Sequence, residues 1–104
     1  MQHLDEIPSR ELFPGFSFKL VHGEKSSLSF VTIKKGSILP EHQHLHEQVT
    51  YLLEGQLDMV IGGKPYSLRP GMVHVIPSNT PHSAIAVTDT KVIDFFSPCR
   101  EDYK

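Results

Sequence analysis

The chain has 104 residues, 38% of them hydrophobic and 21% charged, with a formal net charge of −2 and a pI near 6.4. That composition describes one ordinary globular domain over residues 1–104 and supplies no basic field for a nucleic-acid backbone. No stretch approaches membrane-spanning length, the N-terminal MQHLDEIPSRELFPG has no apolar run for a signal peptide, and the single cysteine, Cys99, excludes an internal disulfide. A lone thiol fits a reducing compartment, so a cytoplasmic protein is expected. Cys99 has no evident base beside it to activate the thiol and reads as incidental.

Eight prolines and seven glycines break the chain at short intervals and leave little room for a helix of three turns. A short helical turn is conceivable around residues 6–12, limited by Pro8. The segments between the breaks are rich in β-branched and aromatic residues. In order, strands are expected at 16–22, 28–34, 48–54, 56–61, 66–68, 72–76, 83–88 and 91–97. Gly62-Gly63 between two such runs predicts a tight hairpin. Many short strands separated by Gly/Pro turns predict an all-β sandwich or barrel. In the run 48–54, Gln48, Thr50 and Leu52 share one face and Val49, Tyr51 and Leu53 the other. A strand apolar on both faces is covered on both, and for so small a chain the second cover is expected to be another subunit, a homodimer. On the face that continues from His82, the small side chains Ala84, Ala86 and Thr88 would leave room for a cavity or simply taper a packed barrel.

The stretch GSILPEHQHLHEQVTYLLEG, residues 36–55, carries the chemistry. His42 and His44, two apart, would project from one face of a strand and offer two imidazoles to a divalent ion. Gln48 could add a side-chain oxygen from the next strand. Glu47 would face the opposite way. His-rich loops also occur simply as solvated surface; His46 reads either as such a turn residue or as a residue behind the ligands or an alternative ligand. A second stretch, GGKPYSLRPGMVHVIPSNTPH, places His82 just after a proline-rich turn at the head of a strand, where it could bring a further ligand from across the barrel. His74 reads as a packed core residue, with the cavity or the dimer contact as alternatives, and His3 and His22 have no pattern behind them. Asp94 interrupts the otherwise apolar run Val92 to Phe96. A buried carboxylate is costly unless it is paired or bound. It is therefore a structural partner, a solvent-facing residue or an acid/base whose pKa burial would raise. Arg100 either clamps a carboxylate at the barrel mouth or pairs with Glu101, Asp102 or a neighbouring chain.

With these residues in place, the chain resembles the cupins. Their first motif, a glycine, an HxH pair, an acid and a second glycine, falls on Gly36, His42, His44, Gln48 and Gly55. Their second falls on Gly71, Pro77 and His82, with Asn79 where a glycine is usual and Ala86 where an asparagine is usual. The resemblance implies a double-stranded β-helix jelly roll with one divalent transition metal ion (Ni, Zn, Mn or Fe) held by His42, His44, Gln48 and His82. Gln48 replaces the usual acid. A neutral ligand set leaves the ion's charge uncompensated, which suits an anionic ligand and disfavours the oxidised ion that oxygenase chemistry needs.

HxHxHEQ, YLLEG, IPSNTPH and the ending DFFSPCRED together look like one subgroup of small single-domain cupins. That subgroup acts in pectin and alginate breakdown, converting 4,5-unsaturated uronates into open-chain keto sugars. The resemblance implies Asp94 and Arg100 as catalytic residues, with Arg100 also binding the substrate and Phe96 walling its pocket. It implies a small anionic sugar or carboxylate as partner. In this reading the metal engages the sugar carboxylate and a neighbouring oxygen, Arg100 clamps the anionic end and Asp94 moves the proton. A non-catalytic, metal-supported sugar or anion sensor is the alternative, and a metal dioxygenase a third.

Overall fold

The computed structural model describes residues 1–104. Ten strands run through it: β1 (Arg10–Phe13), β2 (Phe16–His22), β3 (Ser27–Ile33), β4 (Ile38–His42), β5 (Glu47–Glu54), β6 (Leu57–Ile61), β7 (Lys64–Leu68), β8 (Val73–Ile76), β9 (His82–Ala86) and β10 (Thr90–Ser97). They form two antiparallel sheets, one in the order β1-β2-β3-β10-β5-β8 and one in the order β4-β9-β6-β7. This is the all-β jelly roll the motifs imply, and no helix is long and apolar enough to cross a membrane.

All eight expected strands are present to within two residues at each end, and two more join them. The expected helical turn at 6–12 is replaced by a single 3-10 turn at Leu4–Glu6 followed by β1, because residues 10–13 pair with β2. Propensity reads RELF as helix; the tertiary pairing overrides it. β4 was missed because Pro40 cannot donate to a ladder. It is tolerated because β4 lies at the edge of its sheet, where the missing N–H is harmless. Thr88 is not on the alanine face. β9 ends at Ala86, and Thr88 is exposed in the following turn, where its hydroxyl accepts from the Gln56 backbone N–H.

The core lies between the sheets. Phe16, Phe18, Val31, Ile33, Leu52 and Val92 face Leu57, Met59, Ile61 and Ala86, all at most 6% exposed. Strand alternation supplies this: every second residue of β3, β6 and β10 is buried. Gly62 and Gly63 have φ of +56° and +79°, the double left-handed conformation of a two-residue hairpin turn between β6 and β7.

Gly55, the glycine that closes the first motif, has φ +88°, and a Cβ there would lie 2.2 Å from the Asp89 carbonyl oxygen. At Gly36 and Gly71 φ is also positive, but a Cβ would meet nothing within 4 Å. Gly55→Ala is therefore expected to cost at least about 3 kcal/mol, against about 1 kcal/mol for Gly36→Ala. Urea unfolding of the two variants checks the ordering, and equal losses would mean that the approach of the Asp89 loop is relaxed without cost.

Candidate metal centre

Two sheets and a connecting segment converge on one end of the sandwich. His42 ends β4 and stands opposite His82, the first residue of β9, in the sheet register. His44 is not on the strand with His42, as the HxH spacing suggests. β4 stops at His42, and the segment to β5 carries His44 inward. The turn 77–81 holds that segment in place. The Asn79 N–H donates to the His44 carbonyl at 2.8 Å, and the Ser78 hydroxyl donates to the Leu45 carbonyl. Asn79 has φ +58°, so asparagine adopts here the left-handed conformation for which glycine is usual.

The three imidazoles come together. A nitrogen of each lies within 4.8 Å of the others, and the ring centroids of His42 and His82 are 4.3 Å apart and those of His44 and His82 4.9 Å apart. Each ring is tethered the same way: Nδ1 of His42 meets the Pro40 carbonyl at 3.0 Å, that of His44 the His46 carbonyl at 2.9 Å, and that of His82 the Thr80 carbonyl at 2.8 Å. A carbonyl only accepts, so Nδ1 carries the proton in all three and each Nε2 presents a lone pair. Burial, with the Arg100 charge second, depresses the His44 pKa to about 4, and burial lowers that of His82. Both imidazoles are neutral near pH 7, as metal ligation needs.

Gln48 completes the set from β5. Its Oε1 lies 3.2 Å from Nε2 of His44. Its Nε2 donates to the Thr50 hydroxyl at 2.9 Å, and that hydroxyl donates to Asp94 Oδ1 at 2.7 Å. An ionised Asp94 only accepts, so Thr50 must donate to it and accept from the amide, which turns the amide oxygen toward His44. Two lone-pair atoms then face each other with no proton between them. A cation between them resolves that conflict, and the donor set, three imidazoles and an amide oxygen, fits a divalent transition metal. Glu47 is exposed.

Asp94 lies on β10 between β3 and β5, is 8% exposed and points into the cavity, so the solvent-facing alternative is excluded. Burial raises its pKa to about 6, against the opposing hydrogen bonds from Thr50 and Gln48 and the Arg100 charge. Phe96 is buried in the cavity wall, edge-on to His44 at 5.8 Å. Arg100 is buried, and its guanidinium lies 4.6 Å from the Phe96 ring centre and 3.9 Å from that of Tyr103. Arg100 lines the cavity, and it pairs with Asp102, one of the partners expected for it, through Nε at 3.0 Å and Nη2 at 2.8 Å.

Thr50 and Tyr103 line the same cavity and went unnoticed in the sequence. The inward alternation of Gln48 and Thr50 was the available signal for the first; nothing local marks the second. His46 is half-buried rather than solvated, edge-on to His44 and Phe96. His74 is not in the core; it is half-buried against Tyr66, with ring centroids 4.7 Å apart. Cys99 does have a base nearby, since His22 Nδ1 lies 3.7 Å from its sulfur, but the thiol is buried.

The two perturbed groups act oppositely on stability. Asp94 keeps its proton in the folded chain between about pH 4 and 6, where the unfolded chain has lost it, so its contribution falls as pH rises. His44 has lost its proton in the folded chain between about pH 4 and 6.5, where the unfolded chain keeps it, so its contribution rises with pH. In metal-free protein, Asp94→Asn should leave only the rising part. Its unfolding free energy should climb more steeply from pH 4.5 to 6.5 than that of the unaltered chain. Parallel curves from denaturant titrations would place Asp94 at an ordinary carboxylate pKa.

The cupin-domain family profile matches residues 29–96, which span every residue of the cluster. The chain is 31% identical over 102 residues to the pectin degradation protein KdgF of Dickeya dadantii (strain 3937), covering 95% of this chain and 93% of that one. It superposes on the structure of KdgF from a Halomonas species with a TM-score of 0.89 at 32% identity, covering 96% and 94% of the two chains. An RmlC-like cupin from Shewanella frigidimarina NCIMB 400 gives a TM-score of 0.94 at 25% identity over 100% and 95%. A family match over more than half the chain, on a fold and a histidine cluster already described, places the protein among the cupins.

Proposed function

We propose that this cupin opens 4,5-unsaturated uronates to their keto form, using a divalent metal ion held by His42, His44, Gln48 and His82. One observation carries the reading: Gln48, whose amide oxygen faces His44, is hydrogen-bonded through Thr50 to Asp94, which sets a buried carboxylate of raised pKa beside the ligand cluster. Identity to a pectin degradation protein along nearly the whole chain supports the substrate class.

The residues divide the work by their chemistry. Arg100, buried in the cavity wall, draws the sugar carboxylate into the cavity. Phe96 and the apolar wall exclude water and fix the ring. Asp94 accepts the proton of the hemiacetal hydroxyl as the bond from the anomeric carbon to the ring oxygen breaks, which leaves an aldehyde and an enolate. It then delivers that proton to the alkene carbon, and the enolate becomes a ketone. The proton is returned, so the step is an isomerisation that needs no oxidant or reductant. A metal ion bound at the cluster supplies Lewis-acid stabilisation of the developing enolate oxygen.

We also propose that the outer face of the larger sheet is covered by a second copy of the chain. Leu28, Phe95, Val49 and Val75 form one outward row across four strands in register, and Phe30, Ile93, Tyr51 and Val73 form the next. Val73 is 61% exposed, Val75 50% and Phe95 42%. Contiguous exposed apolar rows mark contact surfaces, and the same face on two copies can pack about a two-fold axis.

Elemental analysis should find a divalent transition metal, and the metal-loaded protein should bleach the conjugated ultraviolet absorbance of an unsaturated uronate. Asp94→Asn should lower that rate by about 10²–10⁴-fold while uronate binding persists. Retained turnover removes Asp94 from the chemistry; binding without turnover in the unaltered protein favours a sugar-acid sensor. Light scattering should give twice the 11.7 kDa chain mass, and Val75→Asp should halve it. A unaltered chain that is monomeric at micromolar concentration sinks the second-copy reading.

A further inference from the structure

The cavity is smaller than the ligand proposed for it. Its free volume is about 50 Å³, room for a few waters, whereas sites that enclose small molecules run to about 300 Å³ and more. A six-carbon sugar acid enters only if part of the wall moves.

The strands that build the wall are held by ladder hydrogen bonds, but the chain end is not. Arg100 itself is anchored, its N–H donating to the buried Ser27 hydroxyl at 2.8 Å. Beyond it, the backbone bonds of Glu101, Tyr103 and Lys104 run only within the terminal turn. Three contacts tie that turn to the rest of the protein. Arg10 Nη1 donates to the Tyr103 carbonyl, the Tyr103 ring lies against Arg100 and Phe18, and the Asp102 carboxylate takes two N–H groups of Arg100. The pair is lopsided: the Arg100 side chain is 5% exposed and that of Asp102 is 53% exposed. One partner is fixed in the wall and the other is free to leave for water.

We infer that residues 101–104 form a strap whose Asp102 occupies the face of Arg100 that a substrate carboxylate takes, so that Asp102 sets the affinity for sugar acids. The inference rests on the ring-opening reading in taking a uronate as the ligand. Exchange of one carboxylate for another leaves the buried guanidinium with a counter-ion throughout, so opening never strands a charge in the wall. Departure of the turn also removes Tyr103 from the cavity lining and so widens the cavity. Arg100 and Asp102 are thus anchor and competitor within one chain, and the selected ligand is one whose anion fits the guanidinium fork better than Asp102 does.

The test uses the metal-loaded full chain and galacturonate, a saturated uronate that lacks the reacting double bond. Asp102→Asn weakens the internal pair at nearly constant shape, and Arg10→Ala loosens the strap from outside the cavity should the first variant fold poorly. Each variant should bind galacturonate about fivefold more tightly in calorimetry. Galacturonate should also speed hydrogen exchange at the Tyr103 and Lys104 amides of the unaltered chain, since the turn is released on binding. Affinity that stays the same or falls in the variants, slower exchange at those amides, or no galacturonate binding by any form overturns the strap, and Asp102 then merely orients Arg100. Tighter binding by the variants without turnover of an unsaturated uronate by any form keeps the strap and discards the ring-opening reading.

Discussion

Three imidazoles share one constraint on which the site depends. Each gives its Nδ1 proton to a backbone carbonyl two residues away, so each is left with an unprotonated Nε2 aimed at the same point. The tether is short and local, which fixes ring orientation as well as tautomer. Gln48 adds a fourth lone pair 3.2 Å from the His44 nitrogen, and burial keeps His44 from taking up a proton to relieve the contact. A cluster of acceptors without a proton among them is a place prepared for a cation.

The second consequence runs outward through Thr50. Its hydroxyl can donate once and is committed to Asp94, which leaves its lone pair for the Gln48 amide and turns the amide oxygen inward. The charge state of the acid and the orientation of the Gln48 amide are thus joined by one side chain of no intrinsic reactivity. Burial of both ends makes the line effective, because in a low-dielectric wall an unsatisfied group is expensive and each member holds the next. The same wall is apolar over most of its surface, so the few polar groups in it set what enters.

Much of this was legible in the chain order. Runs of β-branched and aromatic residues between Gly/Pro breaks identified eight strands, and period-two alternation told Gln48 and Thr50 from Val49 and Tyr51. Pro40 hid β4, and the charged RELF hid β1, because each owes its strand state to a neighbour rather than to its own residues. His42, His82, Gln48, Asp94, Phe96 and Arg100 were all marked as site candidates, and all line one cavity. His44 was marked for the wrong local reason: it lies on the connecting segment rather than on the strand face the HxH spacing suggests. Asn79, which departs from the glycine usual at its position, reaches the same left-handed backbone and holds that segment.

The amino-acid sequence alone marked the candidate side chains and most of the strands, since residue type and alternation are local properties. Only the tertiary structure decided their relations: the shared Nδ1 tethers, the turn of the Gln48 amide, the loss of Arg100 to Asp102 and the arrival of Tyr103 over the cavity. Those depend on distances between residues remote along the chain. His42 meets His82, and Phe18 meets Tyr103, only after the sheets have closed around a common core.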